Sequence, residues 1–225
     1  MDDGPWMMVA NRHVHVMCLF CCILIVMKDD PWLDKWLALI REKSAGGQVL
    51  ELGCGGGWDT VDLLSAVSDV IATDISAESL AKCAQSALGA RLLQMDIGKP
   101  FPFADHSLSV IVASLSLHYF SWEVTVQIAS ELKRCIRAGG LLLARFNSTN
   151  DYHYGAASSL EIEPNFYQVG TRTKRFFDES SVRLFLQEWD IQFLEENVIH
   201  RYQKPKSVWE AMAVILPLDT SAPPS

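Results

Sequence analysis

The residues of this chain whose types and spacing suit chemistry are Glu51, three alternating glycines at Gly53, Gly55 and Gly57, two acids at Asp74 and Asp96, and His118. The stretch Val49-Leu50-Glu51-Leu52-Gly53-Cys54-Gly55-Gly56-Gly57 runs an apolar strand into a glycine turn, with an acid two residues ahead of the first glycine. Glycine suits a place where the backbone turns tightly and approaches a ligand with no Cβ in the way. The following segment, Trp58 to Ala66, reads as a helix whose first N–H groups face the same cavity. About twenty residues on, Val70-Ile71-Ala72-Thr73-Asp74 is a second apolar run ending in an acid, placed to hold both hydroxyls of a ribose.

A dinucleotide fingerprint would need glycine three residues after Gly55, for close helix–strand packing. That position is Trp58, which disfavours a nicotinamide oxidoreductase. The spacing E-x-G-x-G-x-G, with the elements that follow it, instead resembles the class I, Rossmann-like S-adenosylmethionine-dependent methyltransferases over about residues 30–215. Within that family it resembles the small bacterial type related to tellurite-resistance and thiopurine methyltransferases.

The resemblance implies S-adenosylmethionine as cofactor, held by Glu51, Gly53, Cys54, Gly55, Gly57, Asp74, Ile75, Asp96, Ile97 and Ser114. Asp96 ends a third run, Arg91 to Ile97, and would accept from the adenine amino group while Ile97 packs on the base. A fourth run, Leu108 to Ser114, is nearly continuous in apolar residues, as a parallel strand covered on both faces should be. Its end, Ser114-Leu115-Ser116-Leu117-His118-Tyr119, falls where this family places residues around the transferring methyl. His118 and Tyr119 are the catalytic candidates. His118 has an intrinsic pKa near neutrality and fits a general base, although lone histidines more often bond the backbone and shape a pocket. Trp58, Tyr119 and Phe120 are aromatic candidates for favouring a sulfonium.

The acceptor would meet the polar segment after the fifth run, Gly139 to Phe146, because strand ends on one side of an open sheet form the ligand crevice. Arg145, Asn147, Asp151, His153 and Tyr154 are the substrate-binding candidates there. Lys174 and Arg175 are added as a source of positive charge, the alternative being a solvated loop with Phe176 and Phe177 packed inward. Methyl transfer needs alignment of donor and acceptor more than a dedicated nucleophile. A non-catalytic cofactor-binding or regulatory module of the same fold is the second reading.

The expected fold is α/β, a Rossmann-like seven-stranded, mostly parallel sheet with an antiparallel terminal hairpin and helices on both faces. Expected helices are Pro31 to Glu42 with Asp30 as N-cap, Ser76 to Leu88 with Ser76 as N-cap, Glu123 to Cys135, and Asp178 to Gln187. Residues 147–173 read as irregular, and the terminal hairpin pairs Ile191 to Tyr202 with Ser207 to Ile215 across Gln203-Lys204-Pro205-Lys206.

At 225 residues and 49% hydrophobic content the chain suits one main domain, assigned to 28–216. Residues 1–27 are assigned to an apolar extension outside the core, with Met27 close to the natural start of the domain. Its apolar run, Val14 to Met27, is short for a membrane span and lacks a small-residue cleavage site. No membrane association is expected unless this segment anchors the chain. The Pro- and Ser-rich residues 217–225 are expected to be disordered. A net charge of −8 disfavours nucleic-acid binding. Six cysteines, of which only Cys18 and Cys21 have a two-residue gap, give no four-ligand metal pattern and fit a reducing cytoplasm. The expected partner is a small-molecule substrate.

Overall fold

The computed structural model describes residues 15–16, 25–26, 30–158 and 160–215. The expected extension and tail lie outside the described residues, apart from two short antiparallel strands, His15–Val16 and Ile25–Val26. The chain divides into two units, Met1–Pro31 and Trp32–Ser225, and the second carries the main sheet.

That sheet has seven strands. In chain order they are β1 (Gln48–Leu52), β2 (Val70–Asp74), β3 (Arg91–Gln94), β4 (Leu108–Ser114) and β5 (Ile136–Asn147), then β9 (Trp189–Ile199) and β10 (Lys206–Ile215). Across the sheet the order is β9-β10-β5-β4-β1-β2-β3. The first five strands pair in parallel, while β10 runs antiparallel to both β5 and β9. The expected fold is therefore the observed one. The strand order reverses between β1 and β4, and an open parallel sheet forms its ligand crevice at such a point, outside the carboxyl ends of the strands.

The helices are α1 (Leu37–Lys43), α2 (Trp58–Ala66), α3 (Ala77–Ser86), α4 (Trp122–Cys135) and α5 (Glu179–Phe185). Ser76 caps α3 by accepting from Ser79 N at 3.2 Å, as its sequence position implied. Asp178 caps α5 in a reciprocal box with Ser181. The first helix differs from expectation. A 3-10 turn at Asp34–Trp36 precedes α1, so neither Asp30 nor Pro31 begins the helix. Trp32 and Leu33 are both buried, and the Trp32 indole donates to both carboxylate oxygens of Asp59 at 3.1 Å. Burying two consecutive side chains holds them in a turn and overrides the local helical pattern.

Apolar side chains cover the sheet on both faces. Leu50, Leu52, Ile111, Leu142 and Phe146 pack in one cluster with α4 and α5, and Val49, Val110, Val112, Leu141 and Leu143 pack in another with Trp32, Leu33 and Ile40. The strand alternation of period two sends neighbouring residues to opposite layers.

The segment expected to be irregular contains a second sheet. Strands β6 (Glu161–Glu163), β7 (Phe166–Val169) and β8 (Arg172–Arg175) form an antiparallel meander. Its turns are made by Pro164-Asn165 and Gly170-Thr171, with Asn165 and Gly170 at positive φ of 59° and 61°.

Candidate functional site

The glycine turn after β1 is fixed by sterics. Gly53 has a φ of +76°, and a Cβ there would lie 2.6 Å from the Cβ of Ser116. Gly57, at φ +85°, initiates α2, and a Cβ would meet the Cα of Cys83 at 3.1 Å and its Sγ at 2.9 Å. Glycine is therefore required at both positions, once by the chain after β4 and once by α3.

Asp74, at the end of β2, is held by two backbone amides. Gly55 N donates to Oδ2 at 3.0 Å and Ser76 N donates to Oδ1 at 2.8 Å. Each carboxylate oxygen keeps a further acceptor site, since an ionised carboxylate offers about four lone pairs. Asp96 is oriented in the same manner by Gly98 N at 2.9 Å. Ile75, next to Asp74, is 64% exposed, whereas Ile97, next to Asp96, is 9% exposed. An exposed isoleucine beside a pinned carboxylate gives an apolar face next to a hydroxyl-binding edge, the chemistry an adenosine needs.

Glu51 lies beneath the turn and is buried, with Thr60 Oγ1 donating to its Oε2 at 2.6 Å. Burial, reinforced by the charge of Asp59 and to a smaller extent of Asp74 and Asp62, pushes its pKa up to about 8, against the lowering effect of Thr60. Carboxylates gathered around one loop make a cavity that favours a cation. Cys54, also in the turn, is a buried free thiol whose pKa burial drives upward, leaving it unreactive.

Beyond β4 the chain turns sharply at Leu115, whose φ of +54° is unusual for a non-glycine residue. Leu115 N donates to Arg145 O at 3.0 Å, and the turn delivers Ser116 and His118 to the crevice. Ser116 Oγ and His118 Nδ1 are buried without a hydrogen-bond partner. His118 is 5% exposed. Burial, then the positive charges of Lys206 and Lys174, hold its pKa well below the usual histidine value, so the ring is neutral. Tyr119 packs against it with ring centroids 4.1 Å apart and is 39% exposed. Burial raises the Tyr119 pKa, opposed by Arg172, so the phenol is protonated.

The small sheet holds this segment in place. Arg175 N donates to His118 O at 2.7 Å, Thr173 Oγ1 to Tyr119 O at 3.2 Å, and Arg175 Nε to Phe120 O at 3.1 Å. The Arg175 guanidinium also pairs with Glu163 at 2.5 Å, and Glu163 accepts from Trp122 N at the start of α4 at 2.8 Å.

The acceptor candidates divide. Ser114 Oγ accepts from Arg145 Nε at 3.0 Å and from its Nη2 at 2.7 Å, while the Arg145 guanidinium stacks 4.4 Å from the centre of the Trp32 ring. These contacts engage Arg145 as part of the wall. Asn147 is fully buried, with neither its amide nitrogen nor its amide oxygen satisfied. Asp151 is buried and pairs with Lys206 Nζ at 2.5 Å. Lys174 Nζ donates to Tyr154 O at 3.2 Å, and Lys206 Nζ lies 4.9 Å from the centre of the Tyr154 ring. Asp151, Lys174 and Lys206 thus meet around Tyr154, with His118 close enough to feel both lysines. Arg175 is instead spent on Glu163 and main-chain oxygens, His153 is exposed, and Trp58 is 72% exposed.

Lys206 is a residue of this cluster that sequence reasoning assigned to the hairpin turn. A Lys-Pro-Lys run reads as solvated, and only its pairing with Asp151 across the fold reveals otherwise. Among the described residues, no group of three or more His, Cys, Asp or Glu could hold a metal ion, and no helix is long and apolar enough to cross a membrane.

Residues 49–140 match the family described as "Methyltransferase domain". That match covers the glycine turn and the first four strands of the main sheet, and the chain has the fold seen in S-adenosylmethionine-dependent methyltransferases of known structure. It is 29% identical over 166 residues to a malonyl-[acyl-carrier protein] O-methyltransferase of Pectobacterium atrosepticum, a match covering 74% of this chain and 62% of that protein. Its fold is similar to that of a Methanosarcina mazei S-adenosylmethionine-dependent methyltransferase, with a TM-score of 0.65 and 18% identity over 75% of this chain and 92% of that one. It is also similar to Burkholderia thailandensis 1,6-didemethyltoxoflavin-N1-methyltransferase with bound S-adenosylhomocysteine, with a TM-score of 0.61 and 15% identity over 84% of this chain and 80% of that one. The chain spans between 45% and 62% of the length of the curated relatives it matches.

Proposed function

We propose that this protein transfers a methyl group from S-adenosylmethionine to a small-molecule acceptor, with residues 28–216 as the catalytic domain. The observation that carries this reading is the Asp74 carboxylate, pinned by Gly55 N and Ser76 N beside the strand-order reversal of the sheet. It has the orientation and the spare acceptor sites to bind a vicinal diol.

When bound, the donor supplies a methyl group on a sulfonium with a good leaving group. The chain's part is placement. Gly53, Cys54, Gly55 and Gly57 line the donor's path, Asp74 takes the ribose, and Asp96 with Ile75 and Ile97 takes the adenine. Glu51 and its acidic neighbours favour the donor's positive groups. Ser114 anchors the wall through Arg145, and His118 and Tyr119 border the acceptor. Neutral His118 accepts a proton only from acceptors that must lose one.

A finer affinity to the tellurite-resistance and thiopurine type is supported by the segment Ser114 to Phe120. Cytoplasmic residence is supported by the buried free thiols of Cys54, Cys83 and Cys135. Calorimetric titration with S-adenosylhomocysteine tests the donor site: Asp74→Ala should weaken binding about tenfold, the value of one charge-assisted hydrogen bond. Release of labelled methyl onto a metabolite extract tests turnover. Absence of binding by the wild type would overturn the assignment.

A further inference from the structure

The acceptor side of the crevice contains more positive charge than it neutralises. Lys206 and Asp151 form a buried pair at 2.5 Å, with Ser207 N also donating to Asp151 at 3.3 Å. Lys174 lies alongside and donates only to the neutral carbonyl of Tyr154 among the contacts described, at 3.2 Å. His118 adds no charge, since burial and the two lysines keep its ring neutral. Lys174 and Lys206 thus face one carboxylate, Asp151, with Arg172 near Lys174 and Arg145 near Lys206 adding further positive charge, in a chain whose net charge is −8. A half-buried surplus cation in an acidic protein is costly without a partner.

Unsatisfied hydrogen-bonding groups occupy the same place. Asn147 pairs directly with Val208 across β5 and β10, which puts Lys206 on the same sheet face, one step diagonally away. Both ends of the Asn147 amide and Nδ1 of His118 are buried and without partners. Buried groups of this kind cost about 1–3 kcal/mol each when unmet. Three orphaned polar atoms beside surplus positive charge describe a socket for a polar, negatively charged group.

We infer that the methyl acceptor carries a carboxylate that docks against Lys174, beside the Lys206–Asp151 pair, with Asn147 meeting the carboxylate or a hydroxyl next to it. This rests on the methyltransferase reading and names its substrate class. A surplus of positive charge with the Asn147 amide beside it matches a carboxylate. A phosphate dianion would meet more repulsion from the Asp151 carboxylate than a monoanion would.

The probes are acetate, benzoate and phenylacetate, each compared with its neutral amide, together with inorganic phosphate. All are titrated by calorimetry into full-length protein saturated with S-adenosylhomocysteine. At least one carboxylate should bind ten or more times tighter than its amide and than phosphate. Lys174→Met should abolish that preference and Lys174→Arg should retain it, both keeping S-adenosylhomocysteine affinity within twofold. Equal binding of acids and amides, no binding by any acid, or a preference that survives in Lys174→Met would overturn the inference. Failure of S-adenosylhomocysteine itself to bind strikes the methyltransferase reading instead, so the two are read separately.

Discussion

The backbone amide of Arg175 donates to the carbonyl oxygen of His118 at 2.7 Å, tying the last strand of the small sheet to the chain leaving β4. The Arg175 side chain completes the tie through Phe120 O and Glu163. The small sheet thus clamps the segment that leaves a central strand of the main sheet. Arg175→Met should cost about 1–3 kcal/mol of stability in urea melts, from the lost hydrogen bonds to Phe120 O and Pro164 O. It should also lower methyl transfer while leaving S-adenosylhomocysteine affinity within about threefold. Equal loss of both would place the damage in the whole fold.

Gly53→Ala brings a methyl group 2.6 Å from the Cβ of Ser116 at a φ of +76°. Donor affinity should fall by at least tenfold, with about 1–3 kcal/mol lost in stability. The double substitution Gly53→Ala with Ser116→Gly removes the clash but not the backbone strain. It should recover part of the loss, measured by calorimetry and thermal melting.

Glu51 gives a pH dependence of defined sign. Its folded pKa of about 8 exceeds the unfolded value of 4.5. Its contribution to stability is therefore fully present below pH 4.5 and is lost as the pH rises through about 8. Glu51→Gln should be more stable than wild type at pH 8, by up to about 4 kcal/mol in urea melts, and indistinguishable from it near pH 4. A cationic donor favours the ionised carboxylate, so S-adenosylmethionine affinity should rise between pH 6.5 and 8.5 with proton release. Calorimetry in buffers of different ionisation enthalpy reads that release, which Glu51→Gln should abolish.

His118 is neutral across the neutral range, because burial and two lysines hold its pKa well below 6.5. Turnover that depends on neutral His118 should be level above pH 6.5 and fall only on the acid side. His118→Gln should remove that acid limb. A rate at saturating S-adenosylmethionine that instead climbs through pH 7 in the wild type would assign the titration to another group.

The donor half was legible in the sequence because strong local rules agree there. The apolar run of β4 has the bounds its composition implied, α2 begins after the glycine turn at Trp58, and Ser76 caps α3. Each rests on short-range chemistry of turns, caps and buried strands. The acceptor half was only partly legible. Strands of three or four residues, such as Glu161–Glu163 and Arg172–Arg175, show too little alternation to register, although Pro164-Asn165 and Gly170-Thr171 are turn signals. Asp151 and Lys206 are 55 positions apart, and their pairing is a property of the folded chain. Arg175 carried a charge that suggested a ligand contact, yet it is bonded to Glu163 and the main chain.

Glu51, Asp74 and Asp96 all precede residue 100, whereas His118, Asn147, Asp151, Lys174 and Lys206 all follow it. The crevice is a seam between two consecutive stretches of polypeptide. On the proposed roles, what is modified can change through the later stretch while the donor-holding stretch is kept. Hybrids joined near residue 100 are the natural way to trade one target for another.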